Sequence, residues 1–122
     1  MKSTILISNS FPFSLIRRKV VVEPATVGDL ITAMSERPWV STWGHNNTVG
    51  LASTIVGADL RPSTERPALH LTEENFPAFD RDVFDVCWVL SPDYAAPGFR
   101  PKVGEEIAPA AIKGWQVLRM LW

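Results

Sequence analysis

One cysteine, one tyrosine and two histidines are all that 122 residues supply of those types. The single cysteine, Cys87, excludes an intrachain disulfide and any multi-cysteine metal site. It stands in Val86-Cys87-Trp88-Val89-Leu90, an apolar run where a thiol is a buried small hydrophobe rather than a nucleophile. Neither sign of charge is in excess: 12 Lys and Arg face 13 Asp and Glu, for a formal net charge of -1. Without a basic field, duplex nucleic acid is not an expected partner. Long apolar runs are absent too. None approaches the roughly 18–20 residues of a spanning helix, so no membrane partner is expected. The stretch Ile5–Ile7 after Lys2 stops at Ser8-Asn9-Ser10, which does not fit a secretory signal. A reducing cytoplasm is the expected setting. There is no glycine-rich phosphate loop and no serine in a nucleophile-elbow motif. His45 and His70 lack neighbouring carboxylates at ligand spacing, so neither a metal nor a cofactor is expected.

What is there suffices for one globular domain. Hydrophobic residues make up 46% of the chain, and at this length folding buries about two-thirds of the surface. Thr4–Ile7 reads as a first strand. Lys19–Glu23, β-branched and uninterrupted, reads as a second that Pro24 stops. Thr26 is a good N-cap, with Asp29 three residues on. Val27, Leu30, Ile31 and Met34 form the stripe of a half-buried helix that Pro38 ends. Trp39–Trp43 is a short extended bridge. A second helix starts around Asn46, with Val49, Ala52, Ile55 and Val56 on one face and Gly57 as its stop.

The second half holds more strand and loop. Ala68–Leu71 is a weak strand signal, and Glu73–Asp82 reads as a long, partly packed loop. Val83–Leu90 is the strongest strand. Ser91–Pro101, with Pro92, Pro97, Gly98 and Pro101, excludes regular structure there. A short helix is expected from about Ala108 and a final strand over Trp115–Leu121. The predicted fold class is α+β: one domain over residues 1–122, a mixed sheet of about five strands flanked by two to three helices.

Gly44-His45-Asn46-Asn47-Thr48 is the sharpest local feature, an imidazole just before a predicted helix. Helix N-termini carry unpaired N–H groups and partial positive charge, so they take phosphate oxygens readily. Gly44 allows close approach to the backbone, and Asn46, Asn47 and Thr48 are suited to capping or to direct hydrogen bonds. Such a field lowers the imidazole pKa in the empty protein, and a bound phosphodiester raises it again. A histidine protonated as the anion arrives can donate to a leaving oxygen. The plainer alternative is a capping-region histidine bonded to a neighbouring carbonyl. Trp43, beside it, is either core or a surface on which a base could stack, and Trp39, Trp88 and Trp115 read as core. Leu121-Trp122 could mark a dimer contact. His70 reads as a surface or satisfied core histidine.

Ile5-Leu6-Ile7-Ser8-Asn9-Ser10-Phe11, followed by Trp39-Val40-Ser41-Thr42-Trp43-Gly44-His45-Asn46-Asn47-Thr48, resembles the small viral anti-CRISPR ring nucleases and their cellular relatives. The likeness continues through Val49–Asp59 and Arg66, covers most of the first 70 residues, and is only an outline beyond them. It implies a homodimer whose mixed sheet carries helices on its faces. It also implies metal-free cleavage of cyclic tetra-adenylate, the second messenger of type III CRISPR defence, in a pocket on the two-fold axis. His45 would be the general acid that protonates the departing 5′-oxygen. Asn9 would contact ligand, with Ser10 and Phe11 beside it. Trp43, Gly44, Asn46, Asn47 and Thr48 would line the phosphate side, and Arg66 would neutralise charge. The family carries an arginine and then a glutamate in a loop after its long strand. Here Arg100 is the only arginine of that stretch and no glutamate precedes Glu105. The position after the histidine, often acidic in the family, is Asn46. A cyclic-nucleotide-binding protein that sequesters without cutting is the alternative implied by those departures, and a protein-interaction module without a small ligand is a third reading.

Overall fold

In the structure, a computed structural model describing residues 3–43, 48–62, 68–79, 81–96 and 107–122, the first strand is buried throughout. β1 (Ile5–Ser8) therefore lies inside a sheet covered on both faces. It pairs in parallel with β3 (Trp39–Thr42) on one side and β7 (Val86–Tyr94) on the other. β7 runs antiparallel to β8 (Ile112–Leu121), and β8 runs antiparallel to β2 (Val21–Ala25). The sheet order is β2-β8-β7-β1-β3. Three short strands, β4 (His70–Leu71), β5 (Pro77–Phe79) and β6 (Asp82–Val83), form a second, antiparallel sheet.

Side-chain alternation along the strands divides the interior in two. Ile5, Ile7, Trp88, Leu90 and Val117 face helices α1 (Val27–Glu36) and α2 (Val49–Val56), where they meet Leu30, Val49, Ala52 and Val56. Leu6, Cys87 and Met120 face the other way, against Phe79 and Phe84 of the small sheet and its flank and against Phe11 of the segment after β1. The α+β domain thus has helices on one face of a five-stranded mixed sheet and a three-stranded sheet on the other.

Local chemistry explains the elements. Thr26 and Asp29 form a complete capping box: the Thr26 hydroxyl accepts from the Asp29 amide, and the Asp29 carboxylate accepts from the Thr26 amide, both at 3.0 Å. Gly57 closes α2 in the left-handed region at φ 72°. At the β2 edge, Arg119 donates from Nε to Glu23 Oε1 at 2.6 Å, and its guanidinium lies over the Trp88 ring at 5.6 Å. Arg37, at the end of α1, donates from Nε to the Ser3 carbonyl at 2.8 Å and pairs with Asp85 at 3.3 Å.

Several expectations are corrected. Pro24 does not stop the second strand; it lies within β2, an edge strand, where a missing N–H costs little. Ser91–Pro101 is not irregular from its start, because β7 continues to Tyr94. Pro92 sits beyond Val89, the last β7 residue paired with β1, so that edge carries no ladder to break. The supposed single strand over Val83–Leu90 is divided between β6 and β7, with Phe84 buried at the turn. The loop over Glu73–Asp82 contains the buried β5. The expected helix near Ala108 is one 3-10 turn, Pro109–Ala111, and β8 begins at Ile112 rather than Trp115. The second helix starts at Val49 rather than near Asn46.

Candidate functional site

The parallel trio β7-β1-β3 has one carboxyl edge, the side on which ligands bind in open α/β sheets. Ser8 and Thr42 are Cα partners in this edge, and Ser8 is likewise opposite Val89. The corner Asn9–Ser10 therefore leaves the sheet beside the segment that starts at Trp43. The β7–β8 hairpin runs on past this edge, pairing from Leu90↔Val117 to Tyr94↔Ile112. At about 3.4 Å per residue, the five residues Leu90–Tyr94 form an arm of roughly 17 Å beside the corner. A register shift between Asp93 and Tyr94 bends its outer end. Lys113 pairs with Asp93 there at 3.8 Å, and burial pushes the Tyr94 phenol up from its ordinary value.

Hydroxyl groups fix the chain where it leaves the sheet. Ser8 Oγ donates to the Ser10 carbonyl at 2.6 Å and accepts from the Ser10 amide at 3.2 Å. Ser41 Oγ donates to the Leu60 carbonyl at 2.7 Å, tying β3 to the chain beyond α2. Ser53, on α2, accepts from the Leu60 amide at 2.9 Å. The Trp43 indole Nε1–H donates to Thr48 Oγ1 at 3.2 Å. This last bond joins the two residues that bracket positions 44–47.

These contacts decide how the described site candidates act. Trp43 and Thr48 are 7% and 4% exposed. Trp43 belongs to the core rather than offering a face for base stacking, and the Thr48 hydroxyl already serves Trp43. Phe11 is buried in the second interior cluster, and the partly buried Trp122 packs against it, ring centroids 5.0 Å apart. Asn9 is half-buried and Ser10 exposed, which leaves them as the corner's polar face. Gly44, His45, Asn46, Asn47, Arg66 and Arg100 lie outside the described residues. His70 is exposed, its Nδ1 3.3 Å from the Ala68 carbonyl. Cys87 is fully buried and its thiol pushed up by that burial, as a structural thiol is. Among the described residues no group of three or more His, Cys, Asp or Glu stands close enough to hold a metal ion.

The sequence reading missed two parts of this edge. In sequence Ser8 reads only as a strand terminus, and its one signal is that a polar residue ends the run Ile5-Leu6-Ile7. The hairpin arm was hidden by Pro92. A separate cleft of about 410 Å³, lined in part by Ser3, Thr4, Thr72 and Arg81, opens near the start of β1 and away from this edge.

No protein-family model matches the chain, and no curated protein matches it. Among solved structures, B116 of Sulfolobus turreted icosahedral virus has a similar fold. The TM-score is 0.57 at 12% identity, over 98% of this chain and 99% of that one. The likeness is one of fold. Among the described residues, no helix is long and apolar enough to cross a membrane.

Proposed function

We propose that this protein is a metal-independent ring nuclease that cuts a cyclic oligoadenylate, with cyclic tetra-adenylate as the leading substrate, and so switches off type III CRISPR signalling. The observation that carries the reading is the pairing of Ser8 with Thr42. The two segments that resemble the ring nucleases, one ending in Asn9-Ser10-Phe11 and one continuing into His45, leave adjacent strands at one carboxyl edge. The fold likeness to a viral protein fits a viral or antiviral setting.

In the proposed reaction a ribose 2′-hydroxyl, losing its proton to solvent, attacks the adjacent phosphorus in line. The P–O5′ bond breaks, leaving a 2′,3′-cyclic phosphate, and His45 gives the departing 5′-oxygen its proton. Asn9 and the chain from Asn46 to Thr48 position the phosphate, and Arg66 offsets its charge. The Thr48 hydroxyl accepts from Trp43 and keeps its own O–H as a donor. A homodimer would present the site twice to a symmetric ring. Incubation with labelled cyclic tetra-adenylate in EDTA tests the reading: linear products ending in a cyclic phosphate support it, and an intact, unbound ring contradicts it.

The second reading is a protein that binds the ring without cutting it. It is favoured by the stretch between Ser91 and Pro101, where no glutamate accompanies Arg100. Recovery of the intact ring bound to the protein would select it.

A further inference from the structure

We propose that Ser8 is a positioning residue for ligand recognition, acting by holding the Asn9–Ser10 corner in one backbone conformation. This rests on the reading that the carboxyl edge binds a cyclic oligoadenylate. Ser8 is the one polar residue of β1 and is 2% exposed. Its hydroxyl takes both backbone groups of Ser10, donating to the carbonyl at 2.6 Å and accepting from the amide at 3.2 Å. A side chain that closes a local ring on the backbone two residues ahead fixes the turn that the main chain makes there. Burial gives the clamp its rigidity, since water does not compete at a hydroxyl enclosed this way.

The clamp has a consequence for ligand chemistry. With its Ser10 amide turned onto Ser8, the corner does not offer that N–H to an anion. Its recognition groups are the Asn9 carboxamide and the Ser10 hydroxyl, neutral groups suited to ribose hydroxyls, base edges and single phosphate oxygens. Neutral hydrogen bonds depend steeply on placement, so a shift of about 1 Å at this corner is enough to weaken them by an order of magnitude or more. Ser8 touches no ligand in this account; it sets where Asn9 and Ser10 stand.

The test combines kinetics with a ligand-free measurement. In cleavage of cyclic tetra-adenylate, Ser8→Ala is expected to raise KM about tenfold and change kcat less than about threefold. Ser8→Thr, which keeps the hydroxyl, is expected to return KM to within about threefold of wild type. Adding Ser8→Ala to Asn9→Ala is expected to cost less than the product of the two single effects, because both act in part through the Asn9 side chain. Without any ligand, amide exchange at Ser10 is expected to quicken about tenfold in Ser8→Ala while Leu6 and Ile7 stay protected. An unchanged Ser10 exchange rate, a wild-type KM, or fully multiplicative effects with Asn9→Ala would each overturn the proposal. If wild-type protein neither binds nor cuts the ring, the proposed function fails, and unaltered Ser10 exchange would separately show that Ser8 holds nothing.

Discussion

Trp43 donates its indole N–H to the Thr48 hydroxyl at 3.2 Å, and both residues are buried. The bond joins the two ends of the segment that holds His45. Thr48→Val keeps the shape of the side chain but removes the acceptor, leaving a buried indole N–H unpaired. Urea denaturation should show a loss of about 1–3 kcal/mol. Thr48→Ser, which keeps the oxygen, should lose about 1 kcal/mol or less. Equal losses in the two variants would mean that packing, not the hydrogen bond, holds this junction.

The capping box at α1 gives a second measurable contribution. Thr26→Ala removes the acceptor of the Asp29 amide, and the expected cost is about 1 kcal/mol. Thr26→Ser should retain most of it. Thermal or urea unfolding reads both.

Gly57→Ala separates conformational strain from steric clash. A Cβ at this position meets nothing within 4 Å, but φ is 72°. The expected loss is about 1 kcal/mol, all of it from forcing alanine into the left-handed region. A neutral outcome would show that the end of α2 relaxes to another conformation.

Cys87 gives a pH dependence with a defined sign. Burial raises the thiol pKa in the folded state, whereas the unfolded thiol titrates near about 8.5. Below that pH both states hold the proton and the thiol adds no pH dependence. Above it the unfolded state ionises and the folded state does not, so stability falls by up to about 1.4 kcal/mol per pH unit. Between about pH 8.5 and 9.5 the wild type should lose stability faster than Cys87→Ala. A thiol reagent should label the native protein only as fast as it opens.

Local signals carried the helical half of this fold well. Thr26 with Asp29, the stripe Val27-Leu30-Met34 (from which Ile31, expected on it, departs at 41% exposure), and Gly57 after Val56 each act within one or two turns, so their meaning does not depend on distant partners. The prolines misled for the opposite reason. Whether Pro24 or Pro92 breaks a strand depends on whether a neighbour occupies that edge, which the sheet order decides. β5, three buried residues between charges, was equally illegible, because its pairing partners lie in β4 and β6. At the site edge, the motif segments were visible in sequence. Their adjacency, and the burial of Phe11, Trp43 and Thr48, follow from parallel pairing and core packing.

The most direct measurement is one incubation of purified protein and of His45→Ala with labelled cyclic tetra-adenylate in EDTA, with products resolved by chromatography. The account predicts linear products ending in a 2′,3′-cyclic phosphate from wild type. It predicts a loss of about a hundredfold or more in His45→Ala, in keeping with the removal of a general acid. Cleavage by His45→Ala at the wild-type rate, or an intact ring with both proteins, would contradict it.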